Sequence, residues 1–313
     1  MVMRNEIRLR RSLLFLPASR PDRFKKALET GADAVCIDLE DGVAIDVKHK
    51  ARDQAFDLLR VERCTSAELI LRINDPSTEL GLGDLRAFCE SGTRPDALML
   101  PKVMSPVGIS RVERILQPYY PELAIVPMVE TARGLAAAKE ISMYSKKIKF
   151  LFFGGVDFSA DLGCTNEWDS LLYARSRLIH MGALAGIGVM DTPYMDVADL
   201  DGLETETRAI RRLGFSGKAA IHPTQVPVIQ NVFSPSEAEV IWAKRIVKAY
   251  EENKGGVLLV DGKLIERPVI KAARRTLAIE RAVKIVSSPS DKIQPATCNE
   301  RVDTDRKGVE SSR

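Results

Sequence analysis

The stretch SLLFLPASRPDRFKKALETGADAVCIDLEDGV, Ser12 to Val43, contains one complete structural repeat in 32 residues. It opens on a β-prone run, SLLFL, then passes through Arg20 and Pro21 into a segment where Phe24, Ala27 and Leu28 recur at helical spacing before Gly31. A second run, AVCIDL from Ala34, follows, so the order is strand, helix, strand. Both runs are almost continuously apolar, as expected of parallel strands covered on two faces.

The same unit recurs outward from there. ELILRIN from Glu68, ALMLP from Ala97, LAIVPMVE from Leu123, KFLFFGGVD from Lys149, IGVMD from Ile187 and KAAIH from Lys218 bring the count of strand-like runs to eight. The intervening segments have helical periodicity, for example Leu171, Leu172, Leu178 and Ile179 ending near Gly182. Eight strand–helix units predict an α/β fold of the TIM (β/α)8 barrel type over 1–233. The alternative is a doubly wound open sheet, which the missing glycine-rich fingerprint after the first strand disfavours. A C-terminal helix and cap segment is expected over 234–286. There Ser234, Pro235 and Glu237 read as N-cap, first helical residue and capping-box partner, and Ala238, Ile241, Trp242, Ile246, Ala249 and Tyr250 form the apolar face. VLLVDGKLIE reads as two extended pieces around Asp261 and Gly262, followed by a basic helix from Pro268 to about Val286. The polar, aperiodic 287–313 reads as a disordered tail.

Composition narrows the function. The chain has 313 residues, 45% hydrophobic and 28% charged, with a formal net charge of +3, which is no polyelectrolyte and argues against nucleic-acid binding. Cys36, Cys64, Cys89, Cys164 and Cys298 are scattered without zinc or redox spacing, so free thiols in a reducing compartment are expected. No apolar stretch is long enough to span a membrane, and the basic start Met1 to Arg11 lacks the apolar core of a secretion signal. A cytoplasmic protein is the expectation.

In a barrel of this type, polar residues at the carboxyl ends of strands face the active site. Those ends offer Arg20, then Asp38, Glu40 and Asp41, then Arg72 and Asn74, then Lys102, Glu130, Asp157, Asp191 and His222. Glu130 and Asp157 end adjacent strands, and their carboxylates would repel unless a positive group stood between them. A divalent cation with hard oxygen ligands, Mg2+ in type, satisfies that requirement, and so would a bridging Arg72 or Arg133. Lys102 in LPKV fits either an imine-forming aldolase lysine or an ion-pair partner of nearby acids. His222 reads as a packed, hydrogen-bonded histidine, and His49 and His180 as helix-surface residues.

Taken in order, SLLFLPASRPDRFKKALETGADAVCIDLEDGV, LRIN, LPKV, VETARGL, FGGVDFSADLG and IHPTQV resemble the citrate lyase β-subunit-like branch of the HpcH/HpaI aldolase superfamily, over roughly 12–282. The resemblance implies a Mg2+-dependent enzyme that cleaves a carbon–carbon bond in a malyl-, citramalyl- or citryl-type thioester by a retro-Claisen route. It implies Glu130 and Asp157 as metal ligands and Arg72 as a contact to the small acid. It sets the acid's carboxylate against the amides of Gly154, Gly155 and Val156. It also implies a homotrimer or homohexamer in which a C-terminal acid serves a neighbour's site. Relatives carry Asp in that segment, whereas GKLIERP puts Glu266 there. Arg20 and Arg23 stand where CoA phosphates could be met. Hydrolysis of the thioester, a citrate lyase component working with α and acyl-carrier subunits, and a non-catalytic ligand-binding barrel are the competing functions.

Overall fold

The computed structural model describes residues 8–61, 65–253 and 258–287, so Cys64, Cys298 and, beyond Ser287, the expected tail lie outside the described residues. Eight parallel strands close into a barrel: β1 (Ser12–Pro17), β2 (Ala34–Asp38), β3 (Glu68–Arg72), β4 (Ala97–Leu100), β5 (Ala124–Val129), β6 (Phe150–Phe153), β7 (Gly188–Asp191) and β8 (Gly217–Ala220). Closure is direct, with Ser12, Leu13 and Leu14 of β1 opposite Lys218, Ala219 and Ala220 of β8. That pairing removes the open-sheet alternative.

The continuous apolar runs now have a cause. Leu13, Cys36, Ile70, Met99, Met128, Phe152, Met190 and Ala219, one from each strand, meet in a cluster with no helical residue, which is the barrel lumen. Their neighbours Leu14, Val35, Leu69, Leu98, Val129, Phe153, Val189 and Ala220 pack instead with helix residues such as Phe88, Ile109 and Leu178. Successive side chains point to opposite faces of a strand. Both faces are buried here, so both parities must be apolar.

Parity also explains a buried ionic knot. Asp191 follows the lumen residue Met190, and Lys218 precedes the lumen residue Ala219, so both point outward under the helices. The Lys218 ammonium, wholly buried, donates to Asp191 at 2.8 Å, Glu206 at 2.7 Å and the Thr192 carbonyl at 2.8 Å. Arg175 grips Asp191 through Nε at 3.0 Å and lies 5.0 Å over the Trp168 ring. Two cations thus answer two carboxylates.

Several local expectations need correction. The helix Trp168–Ala185 runs past Gly182 to end at left-handed Gly186, because Gly182 is the contact point with β7, where a Cβ would stand 2.6 Å from Val189. Ser234 does not cap a helix N-terminus. It closes the preceding helix Gln225–Phe233 by donating to the Gln230 carbonyl and accepts from Arg11, while Ser236 and Glu239 form the capping box of the helix Glu237–Glu252. That helix buries Val240, Ala243 and Ile246 and leaves Ile241 exposed.

Past it, β9 (Leu258–Val260) and β10 (Lys263–Ile265) form an antiparallel hairpin turned at Asp261 and Gly262, both at positive φ. The helix Arg267–Ser287 then packs on Glu237–Glu252 through Ala243, Ile246, Ile265, Ile270 and Ala273. Its residues Ala272 and Arg275 share a cavity with Arg10, Phe150 and Gly188, at the starts of β1, β6 and β7. The appendage therefore sits at the amino ends of the strands, opposite the face where barrel enzymes work. No helix among the described residues is long and apolar enough to cross a membrane.

Cutting one member from the ionic knot leaves a buried charge without its partner. Lys218→Met is expected to lower unfolding stability by about 3–5 kcal/mol, read from urea denaturation; a loss under about 1 kcal/mol would show the knot to be dispensable.

Candidate active site

Inward parity carries Asp38 of β2 and Arg72 of β3 to the carboxyl-end mouth of the barrel, two positions beyond the lumen residues Cys36 and Ile70. Glu130, two positions beyond Met128, arrives beside them from β5. Asp38 clamps the Arg72 guanidinium through Nε at 2.6 Å and Nη2 at 2.7 Å, with Phe15 lying under it at 4.8 Å. The remaining corner, Nη1, is ion-paired with Glu40 at 3.0 Å and stands 4.0 Å from Asp41. Burial would favour losing the proton on Arg72, but the Asp38 carboxylate overrules it and holds the guanidinium charged.

Glu130 is 1% exposed. One of its oxygens accepts the Lys102 backbone N–H at 2.6 Å, and the other meets no donor among the described residues. Two backbone features permit this. Lys102 adopts a left-handed conformation with φ of 52°, which turns its amide toward the carboxylate and for a non-glycine residue costs roughly 1–3 kcal/mol. Gly154 supplies the space, since a Cβ there would lie 2.4 Å from Glu130 Oε2.

Asp157 does not sit at a strand end as the sequence suggested. β6 stops at Phe153, and Asp157 is the third residue of the helix Gly155–Leu162, where a first-turn carboxylate is favoured by the helix dipole. Asp161 of that helix accepts the Ala132 N–H at 2.7 Å, tying it to the segment after Glu130. Asp157 raises the cost of ionising Glu130, whereas a hydrogen bond with Glu130 eases ionisation of Asp157. Burial, then the charges of Glu40 and Asp157, push Glu130 up to about 8. Burial likewise pushes Glu40 to about 7, and Asp157 is raised by burial and by Asp41.

Neither arginine considered as a bridge stands between the paired acids: Arg72 is committed to Asp38 and Glu40, and Arg133 is exposed. Two hard carboxylates, one with a buried oxygen lacking any donor, fit a cation that keeps water or substrate on its other positions, as Mg2+ does. Among the described residues no group of three or more His, Cys, Asp or Glu is arranged to hold a metal.

Other strand-end candidates go elsewhere. Asn74 bonds Asp84 under the helix Glu79–Ser91, and Asp191 belongs to the ionic knot. His222 is exposed rather than packed, bonding only Thr224 nearby, because it follows the inward position of β8. Arg20, on the mouth side of β1, is half-exposed and paired with its own loop's Asp22, and Arg23 is exposed. Lys102 is an ion-pair lysine: burial would lower its proton affinity, but Glu40 at 3.2 Å outweighs that and raises it, the opposite of what an imine-forming amine needs. The Gly154 amide is taken by the Val129 carbonyl at 3.2 Å, while Gly155 and Val156 open the helix with amides that have no carbonyl one turn back. Glu266 is exposed on the appendage, just ahead of the helix whose Ala272 and Arg275 meet the base of the barrel. The sequence reading missed the clamp of Asp38 on Arg72 and the amide of Lys102; counting parity along each strand from its lumen residue points to the former, and nothing in residue type announces the latter.

Known proteins resemble this chain in sequence and fold. The chain is 31% identical over 298 residues to the mitochondrial citramalyl-CoA lyase of Homo sapiens, spanning 88% of this chain and 86% of that one. It is 36% identical over 278 residues to the (3S)-malyl-CoA thioesterase of Cereibacter sphaeroides, spanning 87% and 95%. Among solved structures, the protein CitE of Mycobacterium tuberculosis in complex with magnesium, acetoacetate and coenzyme A is 30% identical with a TM-score of 0.74, covering 87% of this chain and 98% of that one. Residues 11–223 match the family described as HpcH/HpaI aldolase/citrate lyase. The chain belongs to that family.

Proposed function

We propose that this protein is a Mg2+-dependent carbon–carbon lyase that cleaves a hydroxyacyl-CoA thioester of the citramalyl, malyl or citryl type into a 2-oxo acid and acetyl-CoA. The observation that carries the reading is the Glu130–Asp157 pair, with its donorless buried oxygen, opening beside a rigidly clamped Arg72. The family's named members supply the thioester chemistry.

Glu130 and Asp157 would hold the cation, which when bound supplies Lewis acidity and fixed positive charge at the acid's oxygens. Arg72 cannot swing away, because Asp38 and Phe15 fix its plane, so its Nη1 corner is preorganised for the oxygen that becomes the keto carbonyl. The amides of Gly155 and Val156 orient the acid's carboxylate at the helix start. Gly154 contributes close approach rather than a donor. As the hydroxyl gives its proton to solvent water, the carbon–carbon bond breaks and its electron pair passes to the thioester as an enolate, whose carbon must then take up a proton.

Glu266 is the proposed donor of that proton, acting on a neighbouring copy. Within one chain it stands at the wrong end of the barrel, so only a homo-oligomer, a trimer or hexamer, brings it to a mouth. Leu259, 71% exposed, and Leu264, 54% exposed, give its hairpin an apolar surface for such a contact. Arg20 and Arg23, exposed on the mouth side, are proposed to meet the CoA phosphates. Hydrolysis of the thioester is the second reading, favoured by the 36% identity to the malyl-CoA thioesterase.

Incubating the protein with citramalyl-CoA or malyl-CoA should release pyruvate or glyoxylate with Mg2+ and none with EDTA. Release of free CoA and the intact hydroxy acid selects the hydrolase, and turnover that survives EDTA sinks the metal reading. Arg72→Lys is expected to lower kcat/KM about 100-fold or more, since an ammonium cannot reproduce the fork that Asp38 holds. Glu266→Gln should lower kcat by about 100-fold or more while leaving Mg2+ affinity unchanged, and mixed oligomers of the two variants should regain activity that neither has alone.

The raised carboxyls give a pH signature. Their unfolded counterparts ionise at about 4.3, so the stability these two groups contribute to the metal-free fold is fully present below that pH and is lost as pH rises through about 7 for Glu40 and about 8 for Glu130. Mg2+ competes with those protons. The melting-temperature gain on adding Mg2+ should therefore grow from pH 5 to pH 8.5; an equal gain at both would contradict the assignment.

A further inference from the structure

The face opposite the mouth carries charge that the proposed reaction does not use. Between the strand starts and the helix Arg267–Ser287 lies a half-enclosed cavity of about 380 Å3. Arg8, Arg10, Arg11, Lys149, Arg211 and Arg275 line it, and no carboxylate does.

Four of those cations are balanced by acids just outside the wall. Arg10 grips Glu68 at 2.6 and 2.7 Å, Arg8 reaches Glu68 at 3.0 Å and Asp96 at 3.8 Å, Arg11 grips Asp33 at 2.7 and 2.9 Å, and Arg211 holds Glu239 at 2.8 Å. Four arginines meet four acids. Lys149 and Arg275 are left over: the Lys149 ammonium donates only to the Lys146 carbonyl at 3.1 Å, and Arg275 has no partner among the described residues. The helix Leu200–Leu213 ends beside the cavity at Gly214, but a helix end carries only partial charge, and Arg211 and Arg212 in its last turn already face it. Among the described residues the surplus is two positive charges.

The rest of the wall is apolar, from Phe150, Phe215, Phe233 and Ile279, with the Arg10 guanidinium 5.3 Å over the Phe150 ring. A pocket of this volume falls within the range of small-molecule sites, about 300–1,000 Å3. Guanidinium forks match phosphate oxygens in geometry as well as charge.

We propose that this cavity binds a small phosphomonoester with an apolar body, and that its occupancy fastens the helix Arg267–Ser287 to the base of the barrel. The helix begins directly after Glu266. Occupancy would thus set the pose of the proposed proton donor and tune turnover at a mouth the ligand never touches. That regulatory clause rests on the function proposed above; the binding does not.

Calorimetry on the full chain without Mg2+ tests the two separately, with adenosine monophosphate as probe, inorganic phosphate as the anion without a body and adenosine as the body without a charge. Adenosine monophosphate should bind once per chain and more tightly than either fragment. Arg275→Glu and Lys149→Glu, both at exposed positions, should each weaken it by about tenfold or more, with melting temperature unchanged, and Arg72→Lys should leave it as in the parent. The proposal fails if the nucleotide binds no better than adenosine, if both charge reversals bind like the parent, or if Arg72→Lys abolishes binding, which would move the anion to the mouth. In the lyase assay the nucleotide should shift kcat in the parent and not in Arg275→Glu. Binding with an inactive enzyme would overturn the function while keeping the site, and binding with an unaltered kcat would overturn the regulation.

Discussion

A carboxylate at the mouth of the barrel is buried with one oxygen facing no donor, and the surrounding groups are arranged around that unmet demand. Burying an unpaired acid is costly unless it keeps its proton or acquires a cation. Glu130 stands between those two outcomes. Glu40 and Asp157 raise its cost of ionisation, Lys102 offers a single backbone amide, and Gly154 yields the space for the side chain. Nothing in this arrangement improves the stability of the free chain. On the proposed function it is a seat for something positive.

The scaffold supplies the rigidity such a seat requires. Arg72 is fixed edge-on by Asp38 and face-on by Phe15, so the cation nearest the acids cannot collapse onto Glu130 and fill the gap. Behind the helix Gly155–Leu162, Thr192 and Leu171 press against Gly155, where a Cβ would lie 3.0 and 3.3 Å from them. Thr192 is in turn held through its carbonyl by Lys218 of the ionic knot. Charges buried in the helix layer thus brace the turn that presents Asp157.

The barrel was legible in the sequence because burial on both faces of a parallel strand leaves an unmistakable run of apolar residues, and eight such runs admit few architectures. Glu130 and Arg72 were legible as residue types at strand ends, whereas Asp157 lies inside the helix Gly155–Leu162. Asp191, Asn74 and His222 have the same residue types at the same ends, yet they point into the helix layer or to solvent. For Asp191 and His222 the difference is the parity of the strand, fixed by which residue enters the lumen, and one residue of register reverses it; Asn74 shares the parity of Arg72 but lies past the end of β3, where Asp84 holds it. The Ser236 cap was displaced from Ser234 for a related reason: Arg11, far away in sequence, claims the earlier serine. Contacts across the fold decided these cases, and periodicity holds no record of them.

The mouth gathers Asp38, Glu40, Asp41, Glu130 and Asp157 around only Arg72 and Lys102. An organic acid trailing a phosphorylated carrier arrives at such a throat against an opposing field. On the proposed chemistry, encounter must then proceed in a fixed succession, with the metal ion entering first and offsetting most of the opposing charge before the anion can settle. Departure would run in reverse, so the ion can remain through many rounds while organic molecules come and go.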